Sequence, residues 1–129
     1  MGAADPDMTI TLYGIPNCDT VKRSRAWLSE RSVDYSFHDF KSKGVPAVEL
    51  DVWIDRLGWE ALVNKKGTTW RKLDAATQAA IVDAKSARAL MLCEPSIIKR
   101  PVVMLRDGAR ELRLTVGYAP DAWSAWVKR

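Results

Sequence analysis

Thr9-Ile10-Thr11-Leu12-Tyr13-Gly14-Ile15-Pro16-Asn17-Cys18 is the stretch on which the fold turns. Ile10 and Leu12 alternate with polar neighbours, which predicts a strand from Thr9 to Tyr13, ended by the Gly14-Ile15-Pro16 turn. Asn17 has the side chain of a helix N-cap, and Val21, Ser24, Arg25 and Leu28 follow at i, i+3, i+4 and i+7. That spacing predicts a helix as far as about Arg31. Val33, Tyr35 and Phe37 then alternate with Asp34, Ser36 and His38, the pattern of a second strand. A right-handed crossover through the helix lays the two strands parallel in one sheet.

Beyond this opening, Lys41 to Ile98 takes a helical period. Pro46 stands near a first turn, Leu50, Trp53, Ile54 and Leu57 share a face, and Gly58 is the stop. Trp59 to Val63 adds another turn or two. Asn64 to Lys72 is polar and aperiodic, which predicts an exposed loop. Two alanine-rich helices are expected at about Ala75 to Asp83 and about Ala87 to Cys93, before Glu94-Pro95. A hairpin follows, Val102 to Leu105 and Leu112 to Val116 around Asp107-Gly108, and a last helix opens at Pro120 with Trp123, Trp126 and Val127 on one face. Without the insertion, the order is that of a thioredoxin-like core: an α/β fold with a four-stranded mixed sheet, helices on both faces, and a helical insertion between the second and third strands.

The 129 residues are 47% hydrophobic and 28% charged, which predicts one globular domain over 9–129, with its insertion at about 41–98. Residues 1–8 read as a flexible leader or an expression remnant ahead of a native start at Met8. No apolar run, Val102-Val103-Met104-Leu105 among them, approaches the ~18 residues of a membrane span, so no membrane role and a cytoplasmic setting are expected. A net charge of +4, small and interspersed, argues against nucleic acid as a partner. Two cysteines and one histidine exclude a closed four-ligand Cys/His zinc site within one chain. A monomer with no tightly bound cofactor is expected.

Cys18 carries the chemistry. A thiolate at the start of a helix gains from the unsatisfied N–H groups and the dipole, and Lys22, one turn on, adds positive charge, while the carboxylate of Asp19 opposes it. The bland alternative is a small buried hydrophobe. A dithiol relay needs a second cysteine at position 21, where Val21 stands, and a phosphatase loop needs arginine at position 24, where Ser24 stands. What remains is a one-cysteine site resolved by an external thiol, and the abundant cytoplasmic one is glutathione, here a co-substrate.

Three ordered segments, Tyr13-Gly14-Ile15-Pro16-Asn17-Cys18-Asp19-Thr20-Val21-Lys22, Asn64-Lys65-Lys66-Gly67-Thr68-Thr69-Trp70-Arg71 and Lys99-Arg100-Pro101, resemble the arsenate reductase (ArsC)/Spx family, in particular its YffB branch. The resemblance spans about Thr9 to Arg129. It implies a thioredoxin-like fold, Cys18 as nucleophile, and glutathione or glutaredoxin as reductant. Glutathione-linked arsenate reductases carry three arginines around the nucleophile. Arg100 and Arg113 fall where two would stand, and Asn64 takes the place of the third, which points from arsenate toward thiol or disulfide substrates. The resemblance also implies a cis bond at Arg100-Pro101 beside the cysteine, where a peptide-like ligand could pair in extended form.

The expected groups for substrate or glutathione are thus Asn17, Lys22, Arg100, Pro101 and Arg113, the arginines offering planar bidentate contacts to carboxylates or oxyanions. The Lys65 to Lys72 loop is expected to be a solvated rim, His38 to be structural and the six tryptophans to be mostly core. Cys93 is expected as core filler, with a resolving role as the alternative. Two other functions stand beside a glutathione-dependent thiol reductase. One is arsenate reduction proper. The other is a non-enzymatic adaptor like the Spx branch, which regulates transcription by binding RNA polymerase, although Val21 removes the Cys-x-x-Cys of that branch's switch.

Overall fold

In the computed structural model, which describes residues 8–108 and 110–127, the opening alternation forms β1 (Met8–Gly14). The proposed leader therefore lies outside the described residues except for Met8, which already belongs to the strand. Helix α1 (Asp19–Glu30) buries Val21, Ser24, Trp27 and Leu28. The Ser24 hydroxyl is satisfied inside the core, because it donates to the Thr20 carbonyl at 2.7 Å. Strand β2 (Ser36–Asp39) runs parallel to β1, with Phe37 opposite Leu12. It starts later than the alternation from Val33 predicts, since the Val33 amide is still bonded to the Leu28 carbonyl at 2.9 Å in the turn that leaves α1.

Strand β3 (Val102–Asp107) pairs antiparallel with β1, and β4 (Arg110–Val116) pairs antiparallel with β3. The sheet order is β2-β1-β3-β4, a mixed four-stranded sheet as expected. Ile10 faces Leu105 and Leu12 faces Val103 across the central pair, so all four point to one side. On that side α1 brings Val21, Trp27 and Leu28, and α8 (Pro120–Val127) brings Trp123. Trp123 is fully buried, stands edge-on to Trp27 with centroids 5.7 Å apart, and donates its indole N–H to Thr115 Oγ1 at 2.9 Å. Burying an apolar side chain of this kind contributes about 1.5–3 kcal/mol before entropy is counted.

These strands and helices, the chain up to Asp39 and from Arg100 on, form one compact unit, and Phe40–Lys99 forms a second. The second unit holds α2 (Phe40–Lys43), α3 (Ala47–Leu57), α4 (Trp59–Leu62), α5 (Thr68–Arg71), α6 (Ala75–Ala80) and α7 (Ala84–Cys93), then a 3-10 turn at Pro95–Ile97. Its core includes Phe40, Leu50, Trp53, Leu62, Met91 and Ile97, all buried. Gly58 ends α3 with φ 83°, a left-handed conformation that favours glycine. Part of the expected loop is helical, as α5. Helix α7 begins earlier than expected because Asp83 accepts from the Ser86 amide at 2.8 Å and completes a capping box, which also stops α6 short of Asp83. Cys93 is exposed, contrary to the expected core role, since it lies two positions, about 200° around the helix, from buried Met91. Among the described residues no helix is long and apolar enough to cross a membrane.

Candidate active site

The turn after β1 brings the chain into α1 with Cys18, not Asn17, at the N-cap. Cys18 has extended backbone angles (φ −139°, ψ 125°), and its carbonyl accepts the first helical bond, from the Lys22 amide at 2.9 Å. Asn17 is one residue outside the helix and exposed, so the sulfur, not an amide side chain, occupies the capping position. A close approach makes this geometry possible: a Cβ on Gly14 would lie 2.8 Å from Val21 Cγ2. Glycine there lets the end of β1 sit against the first turn of α1.

The Cys18 thiol is half-buried, and its pKa is lowered from the ordinary thiol value. Burial is the largest single influence and acts the other way, pushing the pKa up. Against it act the Val21 amide, then a hydrogen bond and the positive charge of the Arg100 side chain, then the Thr20 amide, and together they prevail. No capping hydrogen bond of regular geometry closes on the side chain, so the thiolate is favoured by several donors acting jointly.

Arg100 stands immediately before Pro101, and the peptide bond between them is cis, as the resemblance implies. Pro101 is buried, and its carbonyl accepts from the Gly117 amide at 2.8 Å, which extends the β3-β4 pairing to this end of the sheet. The cation acting on the thiol therefore comes from a segment 82 positions further along the chain. Composition carries no signal for that partnership beyond the Arg-Pro pair itself. Lys22 is exposed on α1.

Arg113 starts from a position further along β4. Val116 pairs with Val102, next to Pro101, whereas Arg113 pairs with Leu105. Three residues of strand separate them, about 10 Å. The resemblance implies Arg113 at the nucleophile; its backbone lies further along β4 and its side chain is exposed. His38 lies with its ring centroid 5.2 Å from that of Tyr13, across the β1-β2 pair. Among the described residues no cluster of three or more His, Cys, Asp or Glu side chains could hold a metal ion.

The model of the ArsC family matches residues 13–126. The chain belongs to the ArsC family. Among solved structures of ArsC-type proteins, a YffB protein is similar at 46% identity and a TM-score of 0.80, over 91% of this chain and 97% of that one. An arsenate reductase (ArsC) related protein from Brucella melitensis is 45% identical with a TM-score of 0.70, over 98% of this chain and all of that one (100%). The family likeness reaches further in sequence. The global transcriptional regulator Spx of Streptococcus pyogenes serotype M3 is 24% identical over 122 residues, 93% of this chain and 86% of its own.

Proposed function

We propose that the protein is a glutathione-dependent thiol reductase that works through the single nucleophile Cys18. The Cys18–Arg100 pair supports this most directly: a half-exposed thiol whose pKa is lowered, in part by the guanidinium charge beside it. The thiolate attacks one sulfur of a substrate disulfide, for example a glutathionylated thiol. A bond forms between Cys18 Sγ and the glutathione sulfur, and the other sulfur leaves as a thiolate that takes a proton from water. A second glutathione, as thiolate, then attacks the glutathione sulfur of the adduct. Oxidised glutathione leaves, Cys18 returns as thiolate, and the substrate disulfide has received the two electrons. Glutaredoxin could serve in place of free glutathione in the second step.

Arg100 lowers the cost of the negative sulfur both before attack and as the leaving group. Asn17 and Lys22, exposed on either side of Cys18, offer polar groups to the peptide, and Pro101 borders the thiol's partner. On this assignment the protein acts as a monomer in a reducing cytoplasm, away from membranes and nucleic acids.

Mass spectrometry after incubation with oxidised glutathione tests the assignment. One glutathionyl adduct on Cys18, removed by added glutathione, is expected; an unmodified Cys18 overturns it. A second function, an adaptor like Spx, is favoured by the sequence likeness to Spx. It predicts an unmodified Cys18 together with retention of RNA polymerase on the immobilised protein.

A further inference from the structure

Helix α1 and its C-cap carry three arginines whose guanidinium groups lie on aromatic rings, and they are not equivalent. Arg25 is engaged twice, donating from Nε to the Tyr35 hydroxyl at 3.0 Å and lying 4.2 Å from the Phe37 centroid. Arg31 lies 4.1 Å from the Trp27 ring and donates to the Trp27 carbonyl at 3.2 Å, near the far end of the helix. Arg23 lies 4.0 Å from the Tyr118 ring centroid, is exposed, and neither hydrogen-bonds nor ion-pairs with any described residue. Its face is held against the ring while the residue stays exposed.

The ring beneath Arg23 is itself fixed. Tyr118 stands edge-on to buried Trp123 with centroids 5.7 Å apart, and its neighbour Gly117 is bonded to the Pro101 carbonyl. Cys18 and Tyr118 pack against the same apolar cluster. Along α1, Arg23 is five positions past Cys18, a rise of about 7.5 Å and a turn of about 140° that carries it to the Tyr118 side of the helix. The Gly117–Pro101 bond sets Tyr118, with Arg23 on its ring, next to the Arg100-Pro101 segment that acts on Cys18.

We infer that Arg23, held flat on Tyr118, is a carboxylate-binding subsite for the peptide part of the disulfide that reacts at Cys18. Stacking leaves the planar fork free for a bidentate contact and limits the side-chain freedom that binding would remove. The inference rests on the thiol–disulfide assignment above. The carboxylate has two chemical sources, glutathione itself or an acidic residue next to the cysteine of a protein substrate.

The test compares exchange rates at Cys18 for glutathione disulfide, a disulfide-linked acidic peptide and neutral hydroxyethyl disulfide. Variants are Arg23→Gln, Arg23→Lys and Tyr118→Phe. For Arg23→Gln, the loss with at least one carboxylate-bearing disulfide should exceed the loss with hydroxyethyl disulfide by about tenfold. Arg23→Lys should recover part of that selectivity, and Tyr118→Phe, which keeps the ring, nearly all of it. Selective loss with glutathione disulfide alone assigns the carboxylate to glutathione, and with the peptide alone to the protein substrate. Equal losses on all three disulfides, or no loss on any, overturn the subsite. If unaltered protein reacts with none of the disulfides, the thiol–disulfide assignment fails first, and the subsite falls with it.

Discussion

The Arg100 side chain acts on the Cys18 thiol and lowers its pKa, so the thiol's activating cation comes from the opening of β3 and not from its own helix. Helix-start amides and a guanidinium thus act on one atom from two separate chain segments. Each can be removed independently, which makes their contributions measurable.

Arg100→Gln should raise the Cys18 pKa and slow exchange with glutathione disulfide. A hydrogen bond to a charged group is worth about 1.5–3 kcal/mol, which corresponds to a tenfold to hundredfold loss. Arg113→Gln, at an exposed position further down β4, should change the rate by only about twofold. Stopped-flow exchange on both variants checks this, and equal losses would return Arg113 to the site.

The lowered pKa of Cys18 has a definite sign in stability. Between the folded value and the unfolded value, about 8.5, the folded chain binds fewer protons, so stability rises with pH across that window. The contribution is complete above the unfolded value and is lost as pH falls through the folded one. Urea midpoints of wild type and Cys18→Ser, taken as a difference at each pH, should show wild type gaining as pH rises. A flat difference would mean that the thiolate is not favoured by folding.

Cys18→Ser should abolish exchange with oxidised glutathione, and Cys93→Ser should leave it intact. Cys93 is exposed at the end of α7, so its removal should also leave the melting temperature nearly unchanged. Equal loss of exchange in both variants would instead favour a relay between the two thiols.

Gly14→Ala places a methyl 2.8 Å from Val21 Cγ2 and should cost about 1–3 kcal/mol of stability. Because the Val21 amide acts on Cys18, the same change should raise the thiol pKa. Adding Val21→Ala should relieve the contact, so the double variant should be more stable than the sum of the single losses predicts. Denaturant midpoints of the three variants measure that coupling.

Much of the sheet was legible from local pattern: Ile10 and Leu12 alternate with polar neighbours in β1, and Val102 to Leu105 form the unbroken apolar run of a strand buried on both faces. Cys18 was legible because a strand, a turn and a helical period converge on it. The less visible features depend on hydrogen bonds that periodicity does not encode. Val33 fits a strand pattern, but its amide is held by the turn leaving α1. Asp83 and Ser86 have capping-box spacing, a signal that was present while the alanine run around it dominated. Arg113 owes its backbone position to pairing register, which periodicity does not encode either.

The separation of Cys18 from Arg100 also sets an order of events during synthesis. Arg100 follows Cys18 by 82 positions, and a ribosome adding residues at about 5–20 per second makes it roughly 4–16 s later. Over that interval the nascent cysteine lacks its guanidinium partner, and it acquires one only when β3 docks beside β1. Full nucleophilicity therefore arrives with closure of the chain, and the growing polypeptide is spared a fully activated thiol while its apolar segments are still unprotected.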